Sequence, residues 1–332
     1  MYERALRGFE EVLGPKHKLT LSTVRNLGII HKYQGRLAEA EHMYERALRG
    51  TEEVLGPKHT LTLSTVNSLG LLYKAQGKLA KAEQMYERAL RGFEEVLGPK
   101  HTLTLDTVNN LGIIYKHQDR LPEAEHMYER ALRGLEEVLG PKHTSTLDTV
   151  HNLGVLYEIQ GKLAKAEQMF ERALRGTEET LGPKHTSILF TVNNLGALYS
   201  RQGKLAEAEQ MYLRALRGKE EALGLKHMST LDTVSNLGLL YAEQDRLPEA
   251  EQMYERALRG YGEALGSKNI EIYEPALNTM EDMGNLYRKQ GEFTKARGML
   301  LRACLGFQTI LGPSSNDYQR IRAAIEALID LP

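Results

Sequence analysis

The pair Leu13-Gly14 returns as Leu55-Gly56, Leu97-Gly98, Leu139-Gly140, Leu181-Gly182, Leu223-Gly224 and Leu265-Gly266, a step of 42 residues each time. A fixed period of this size marks a repeat array. Each unit is one supersecondary piece that cannot bury its apolar face alone, and stacked neighbours supply a continuous core. Length alone would suggest two or three globular domains for 332 residues, whereas the period predicts one elongated domain.

Two helical segments fit into one unit. Over 104–118, Leu105, Val108, Leu111, Ile114 and Tyr115 keep the i, i+3, i+4 spacing of one helix face, here helix A. Over 121–139, Leu121, Ala124, Met127, Tyr128, Ala131, Leu132, Leu135 and Leu139 do the same, giving helix B. Between them stands Gln118-Asp119-Arg120, replaced by Gln34-Gly35-Arg36 in the first full unit, and Gly ends helices by adopting the left-handed conformation. Pro122 and Pro248 fall in the first turn of a helix B, where a missing N–H costs little. Helix B should stop at Leu139-Gly140-Pro141, after which Thr144 or Thr146 is expected to cap the next helix A. Gly134 interrupts helix B, as do its counterparts from Gly8 to Gly306; an interior Gly costs roughly 1 kcal/mol against Ala, so its return predicts either close helix contact or a slight kink.

Leu111, Gly112, Tyr115, Ala124, Tyr128 and Ala131 stand at the spacings of the tetratricopeptide repeat signature, and the same offsets recur from Leu27-Gly28 to Met283-Gly284. The chain resembles that family over almost its whole length. Its long unit, with Asn109-Asn110-Leu111 on helix A, looks like the repeats of kinesin light chains, and the wording of the repeat is similar to arrays attached to fungal NACHT or NB-ARC proteins. The resemblance implies an all-α, right-handed superhelical solenoid. Its expected parts are a leading half repeat (1–17), seven repeats (18–59, 60–101, 102–143, 144–185, 186–227, 228–269 and 270–313) and a closing helix (314–332) that serves as the terminal cap repeat arrays need. The first unit begins within helix B, as in a piece of a longer protein. The seventh carries four extra residues between Lys268 and Gly284, including Pro275.

In the family the inner surface is lined by helices A, and the inward positions can be read off. Just before the signature Leu stand Asn26, Ser68, Asn110, Asn152, Asn194, Asn236 and Asp282. One residue earlier stand Arg25, Asn67, Asn109, His151, Asn193, Ser235 and Glu281. A ladder of amides offers donors and acceptors to the backbone of an extended peptide, and suits hydrogen bonds between neighbouring helices equally well. Toward the end of helix A come Lys32, Lys74, Lys116, Arg201, Arg288 and Lys289, and near its start Asp106, Asp148 and Asp232. Two stripes of opposite sign would orient a polar peptide; acids at a helix start and bases at its end also answer the helix dipole.

Other chemistry finds little support. The recurrent His17, His59, His101, His143, His185 and His227 are too far apart for one metal ion when successive helices lie roughly 8–10 Å apart, and are expected to pack the linkers. Arg130 and Arg133 with Glu129 read as a solvated face. No phosphate loop, nucleophile elbow or zinc signature appears, so neither catalysis nor a cofactor is expected. A net charge of -1 gives no nucleic-acid footprint. The single cysteine, Cys304, and the lack of a long apolar run or signal pattern point to the cytoplasm, without a membrane. The expected function is a non-catalytic scaffold that binds a protein or extended peptide in the helix-A groove as a monomer. Two further readings are a sensing or autoinhibitory arm of a larger NACHT or NB-ARC signalling ATPase, and a structural module that self-associates through its uncapped first helix.

Overall fold

The computed structural model of the chain describes residues 2–183 and 185–328; Met1, Lys184 and 329–332, the last four of the expected closing segment, lie outside it. The described residues hold no strand and sixteen α-helices: α1 (Tyr2–Leu13), α2 (Lys18–Tyr33), α3 (Leu37–Leu55), α4 (Thr60–Ala75), α5 (Leu79–Leu97), α6 (Thr102–His117), α7 (Leu121–Leu139), α8 (Thr144–Ile159), α9 (Leu163–Leu181), α10 (Thr186–Arg201), α11 (Leu205–Leu223), α12 (Met228–Glu243), α13 (Leu247–Leu265), α14 (Glu274–Gln290), α15 (Phe293–Leu311) and α16 (Asn316–Glu326). The chain forms two compact units, Met1–Gly176 and Thr177–Pro332. Within each, an A helix packs on the B helix after it and, less extensively, on the B helix before it.

Each A helix from α2 to α12 begins on a histidine. The residues His17, His59, His101, His143, His185 and His227 hold extended backbone, and each Nδ1 accepts a hydrogen bond at 3.1–3.3 Å from the N–H two residues on. The histidines are therefore N-caps rather than linker packing, and neither Thr144 nor Thr146 caps α8. Thr144 is already inside the helix, and Thr146 turns back to donate to the Gly140 carbonyl at 2.9 Å, as Thr104 does to Gly98. Gly140 makes this carbonyl available because its φ of 88° reverses the chain, a conformation that glycine takes without strain. Replacing His143 by Ala should cost about 1 kcal/mol in a urea melt, and His143→Asn should retain most of the cap.

The turn between A and B also needs a left-handed residue. Gly35 and Gly77 supply it, and Asp119 and Asp245 do so at φ 59° and 57°, a strain that Asp tolerates.

The core is a stack of ring-in-slot contacts. Tyr44, Tyr86, Tyr128 and Phe170 in the first unit, and Tyr212 and Tyr254 in the second, are buried on B helices. Each lies against a glycine of its own A helix, and a Cβ on Gly112 would sit 2.7 Å from Cε1 of Tyr128. The second recurrent glycine is explained the same way: a Cβ on Gly134 would meet the Leu105 methyls, whereas Gly8, with no A helix before it in this chain, has nothing within 4 Å. Close approach, not a kink, is the reason for the repeated glycine.

Successive B helices are tied by charge. Arg46 pairs with Glu10, Arg88 with Glu52, Arg130 with Glu94 and Arg172 with Glu136 in the first unit, and Arg214 with Glu178 and Arg256 with Glu220 in the second. The expected pair of Arg133 with Glu129 is present at 3.7 Å. Arg130, however, does not belong to that solvated face: three residues before Arg133 on α7, it lies on the side turned to the preceding B helix and reaches Glu94 there. Such half-exposed pairs contribute at most about 1 kcal/mol each and mainly fix register.

The four-residue insertion becomes a short 3-10 turn, Ile270–Ile272, which buries Ile270 and presents Glu271 to Arg302 at 2.6 Å. At the end, Ser315 replaces histidine as the N-cap of α16, which buries Ile321; Leu328 beyond it is buried as well.

Candidate functional site

In the first unit the amides divide by position. Asn67 Oδ1 accepts from Thr107 Oγ1 at 3.4 Å, and Asn109 Oδ1 accepts from Asn152 Nδ2 at 3.2 Å, so these side chains bridge α4 to α6 and α6 to α8. Asn26 and Asn110 are half-buried on α2 and α6. In the second unit Asn193 accepts from Thr233 Oγ1 at 2.9 Å, and Asn194 and Asn236 are half-buried. Part of the amide ladder thus serves the contact between helices.

The basic positions come together only in the first unit. Lys32, Lys74 and Lys116 lie near the ends of α2, α4 and α6, all half-buried, with no ion-pair partner among the described residues. Burial holds all three below the ordinary ammonium range; Lys32 depresses Lys74 further, and Lys74 depresses Lys116. The lane extends sideways. His117 is lowered by burial and then by Lys116 and Lys74, and His151 falls to about 4 through burial and the Lys116 charge, so its ring is neutral. His151 packs against Phe170 with ring centroids 5.4 Å apart. Arg25, on α2, has a buried Nε without a hydrogen-bond partner among the described residues. In the second unit Arg201 and Arg288 are exposed at the ends of α10 and α14, while α12 carries Ala242 at the corresponding place, so no lane forms there.

The acidic stripe is not uniform. Asp106 and Asp148 are exposed, whereas Asp232 accepts the Tyr261 hydroxyl at 2.6 Å, and Phe190, 53% exposed, replaces the acid on α10. Beneath Phe190 lies Lys219, which sequence reasoning passed over. It is 2% exposed, donates to Thr233 Oγ1 at 2.8 Å and the Ser229 carbonyl at 3.1 Å, and sits 5.3 Å from the Phe190 ring centroid. The signal was a lysine where other units have Phe93, Leu135 or Tyr261.

Among the described residues no group of three His, Cys, Asp or Glu is placed to hold a metal, and no helix is long and apolar enough to cross a membrane.

Paired helices that bury an aromatic of one in a glycine slot of the other, repeated along the chain, define a helical repeat solenoid. A tetratricopeptide repeat model matches residues 1–53, 26–95, 61–137, 103–179, 146–221 and 187–263, and a second tetratricopeptide repeat model matches 276–317. The chain belongs to the tetratricopeptide repeat family. Its fold is similar to that of BtubC (BKLC) from P. vanneervenii, with 23% identity, a TM-score of 0.57, and coverage of 76% of this chain and 92% of that one. It is also similar to a putative kinesin light chain with nearly identical TPR-like repeats from Podospora anserina, with 22% identity, a TM-score of 0.53, and 63% and 99% coverage. The apo form of the quorum sensor NprR from B. thuringiensis matches with 16% identity, a TM-score of 0.61, and 99% and 92% coverage. No curated protein matches the chain significantly by sequence.

Proposed function

We propose that the chain is a non-catalytic scaffold whose A-helix face binds an extended peptide, and that in the first unit this peptide is acidic. The observation that supports this most is the lane of Lys32, Lys74 and Lys116. Three half-buried ammonium groups repel one another and have no ion-pair partner among the described residues. Carboxylates spaced along an extended ligand would relieve both burdens, since charge-assisted hydrogen bonds are the strong ones and opposing potentials steer encounter. Asn26 and Asn110, half-buried on the helices that carry Lys32 and Lys116, are suited to the ligand's main chain; Asn67, Asn109 and Asn152 bridge the helices of the lane. One of the structures with a similar fold is that of a quorum sensor.

Fluorescence anisotropy with pools of short acidic, neutral and basic extended peptides tests it. The acidic pool should bind tightest, more weakly as salt rises, and the double variant Lys74→Ala, Lys116→Ala should lose about tenfold or more, one to two charged contacts. Ala242 at the equivalent place on α12 shows that alanine is compatible with the fold there. Equal affinity for all three pools, or an unaffected variant, would refute the proposal.

A further inference from the structure

The second unit departs from the repeat at one inward position. Where Asn26, Asn110, Asn152, Asn194 and Asn236 stand in other repeats, α14 carries Asp282. This residue lines a cavity of about 160 Å³ among α12, α13 and α14, together with Leu239, Ala242, Glu243, Tyr254, Asn285, Leu286 and Lys289. The Asp282 carboxylate has no hydrogen-bond or ion-pair partner among the described residues; its neighbour Glu281 has taken Arg320, at 2.7 Å. Tyr254 is fully buried, and its hydroxyl likewise has no partner among the described residues. Tyr86 and Tyr128 share that lack, but the counterparts of Asp282 in the repeats that follow theirs are the neutral amides Asn110 and Asn152. Around Tyr254 the charges are Asp282 and Glu243, and both act on its hydroxyl. Of the charged residues in the lining, Lys289 already donates to the Ala242 carbonyl at 3.1 Å and pairs with Asp245 at 3.8 Å, and Glu243 accepts from Ser200 at 2.6 Å.

A half-buried, unpaired carboxylate beside a buried, unpaired hydroxyl and an aliphatic wall is a receptor with its guest's chemistry specified. The wall is Leu239, Ala242 and Leu286, and Leu239 remains 41% exposed at the mouth. We propose that this cavity takes a basic side chain of the ligand, a lysine or arginine whose stem lies on Leu239, Ala242 and Leu286 and whose charge meets Asp282. The inference rests on the peptide reading above only in making the guest part of a peptide. A neutral guest would leave the carboxylate and hydroxyl unpaired, and an acidic one would add to the repulsion from Glu243.

Without a guest, burial pushes Asp282 up to about 7, assisted by Glu281 and Glu243 and opposed by Arg320. A cation would hold the carboxyl ionised, so affinity should fall as pH drops below about 7.

The probe is N-acetyl-lysine N-methylamide, with the norleucine analogue as its uncharged control, followed by NMR of the Leu239 and Leu286 methyls in the full chain. The lysine compound should give saturable shifts there and lower the Asp282 titration midpoint, and the norleucine compound should do neither. Asp282→Asn should weaken binding about tenfold or more, the scale of one charged hydrogen bond. This substitution restores the residue found in five other repeats, so folding should be unaffected. Equal responses to both compounds, no response to either, or an unchanged Asp282→Asn would overturn the proposal. Because the probe is a single residue, failure here leaves the acidic-peptide result in the first unit standing, and the reverse holds too.

Discussion

Tyr128→Ala is expected to destabilise the first unit by about 3–5 kcal/mol, the usual cost of emptying a buried aromatic site. Tyr128 is fully buried and fills a slot that Gly112 shapes for a ring. Tyr128→Phe should cost far less, within about 1 kcal/mol in either direction, because the hydroxyl has no partner among the described residues to lose. The chain already contains this comparison: Phe170 occupies the same place against Gly154 and is equally buried. Stability in a repeat array is close to a sum of unit and nearest-neighbour terms. The alanine variant should therefore lower and broaden the urea transition seen by circular dichroism, with a reduced apparent m-value, while the phenylalanine variant keeps a single sharp transition.

Lys219→Leu is expected to stabilise the second unit, by up to about 3 kcal/mol near neutral pH. The side chain is 2% exposed, and burial pushes its pKa down from 10.5 to about 8 against the favourable pull of Asp232. The sign follows from linkage. A folded-state pKa below the unfolded value means that the unfolded chain binds the extra proton between about pH 8 and 10.5, so wild-type stability gains as pH rises through that window. At lower pH the full cost of the buried charge is present, offset in part by the bonds to Thr233 and Ser229. Leucine occupies the matching position at Leu135, buried, so the replacement has a fitting shape within the same repeat pattern. The difference in urea midpoint between variant and wild type, measured from pH 7 to 10.5, should be large at the low end and shrink toward the high end. A constant difference would show that the Lys219 pKa is not lowered by folding, and a destabilised variant that the hydrogen bonds outweigh the desolvation.

Helix B could be read from sequence because it rests on features that recur in every copy. The 42-residue step and the apolar spacing of Leu121 to Leu139 place that helix at its observed ends. Capping was misread for a local reason: a sequence puts His143, Thr144 and Thr146 side by side, and only the extended backbone at His143 decides which side chain reaches an open N–H. Arg130 was misplaced because its i, i+4 neighbours are visible in sequence, while Glu94 on the preceding repeat is a contact set by the stacking distance. The amides carried two meanings that sequence could not separate; Asn109 has a bond to Asn152, whereas Asn110 makes none between helices among the described residues. Lys219 and Asp282 were visible as departures from the repeat, yet the burial of the first and the half-burial of the second depend on what packs over them.

NMR of isotopically methylated lysines, titrated with the acidic peptide pool, separates the two faces of the first unit in one experiment, since the modification keeps each charge. Signals of Lys32, Lys74 and Lys116 should shift and saturate together, while Lys100, held by Glu137 at 2.5 Å, should not move. Saturable shifts at Lys100 with the lane silent would place the ligand elsewhere and contradict the groove assignment.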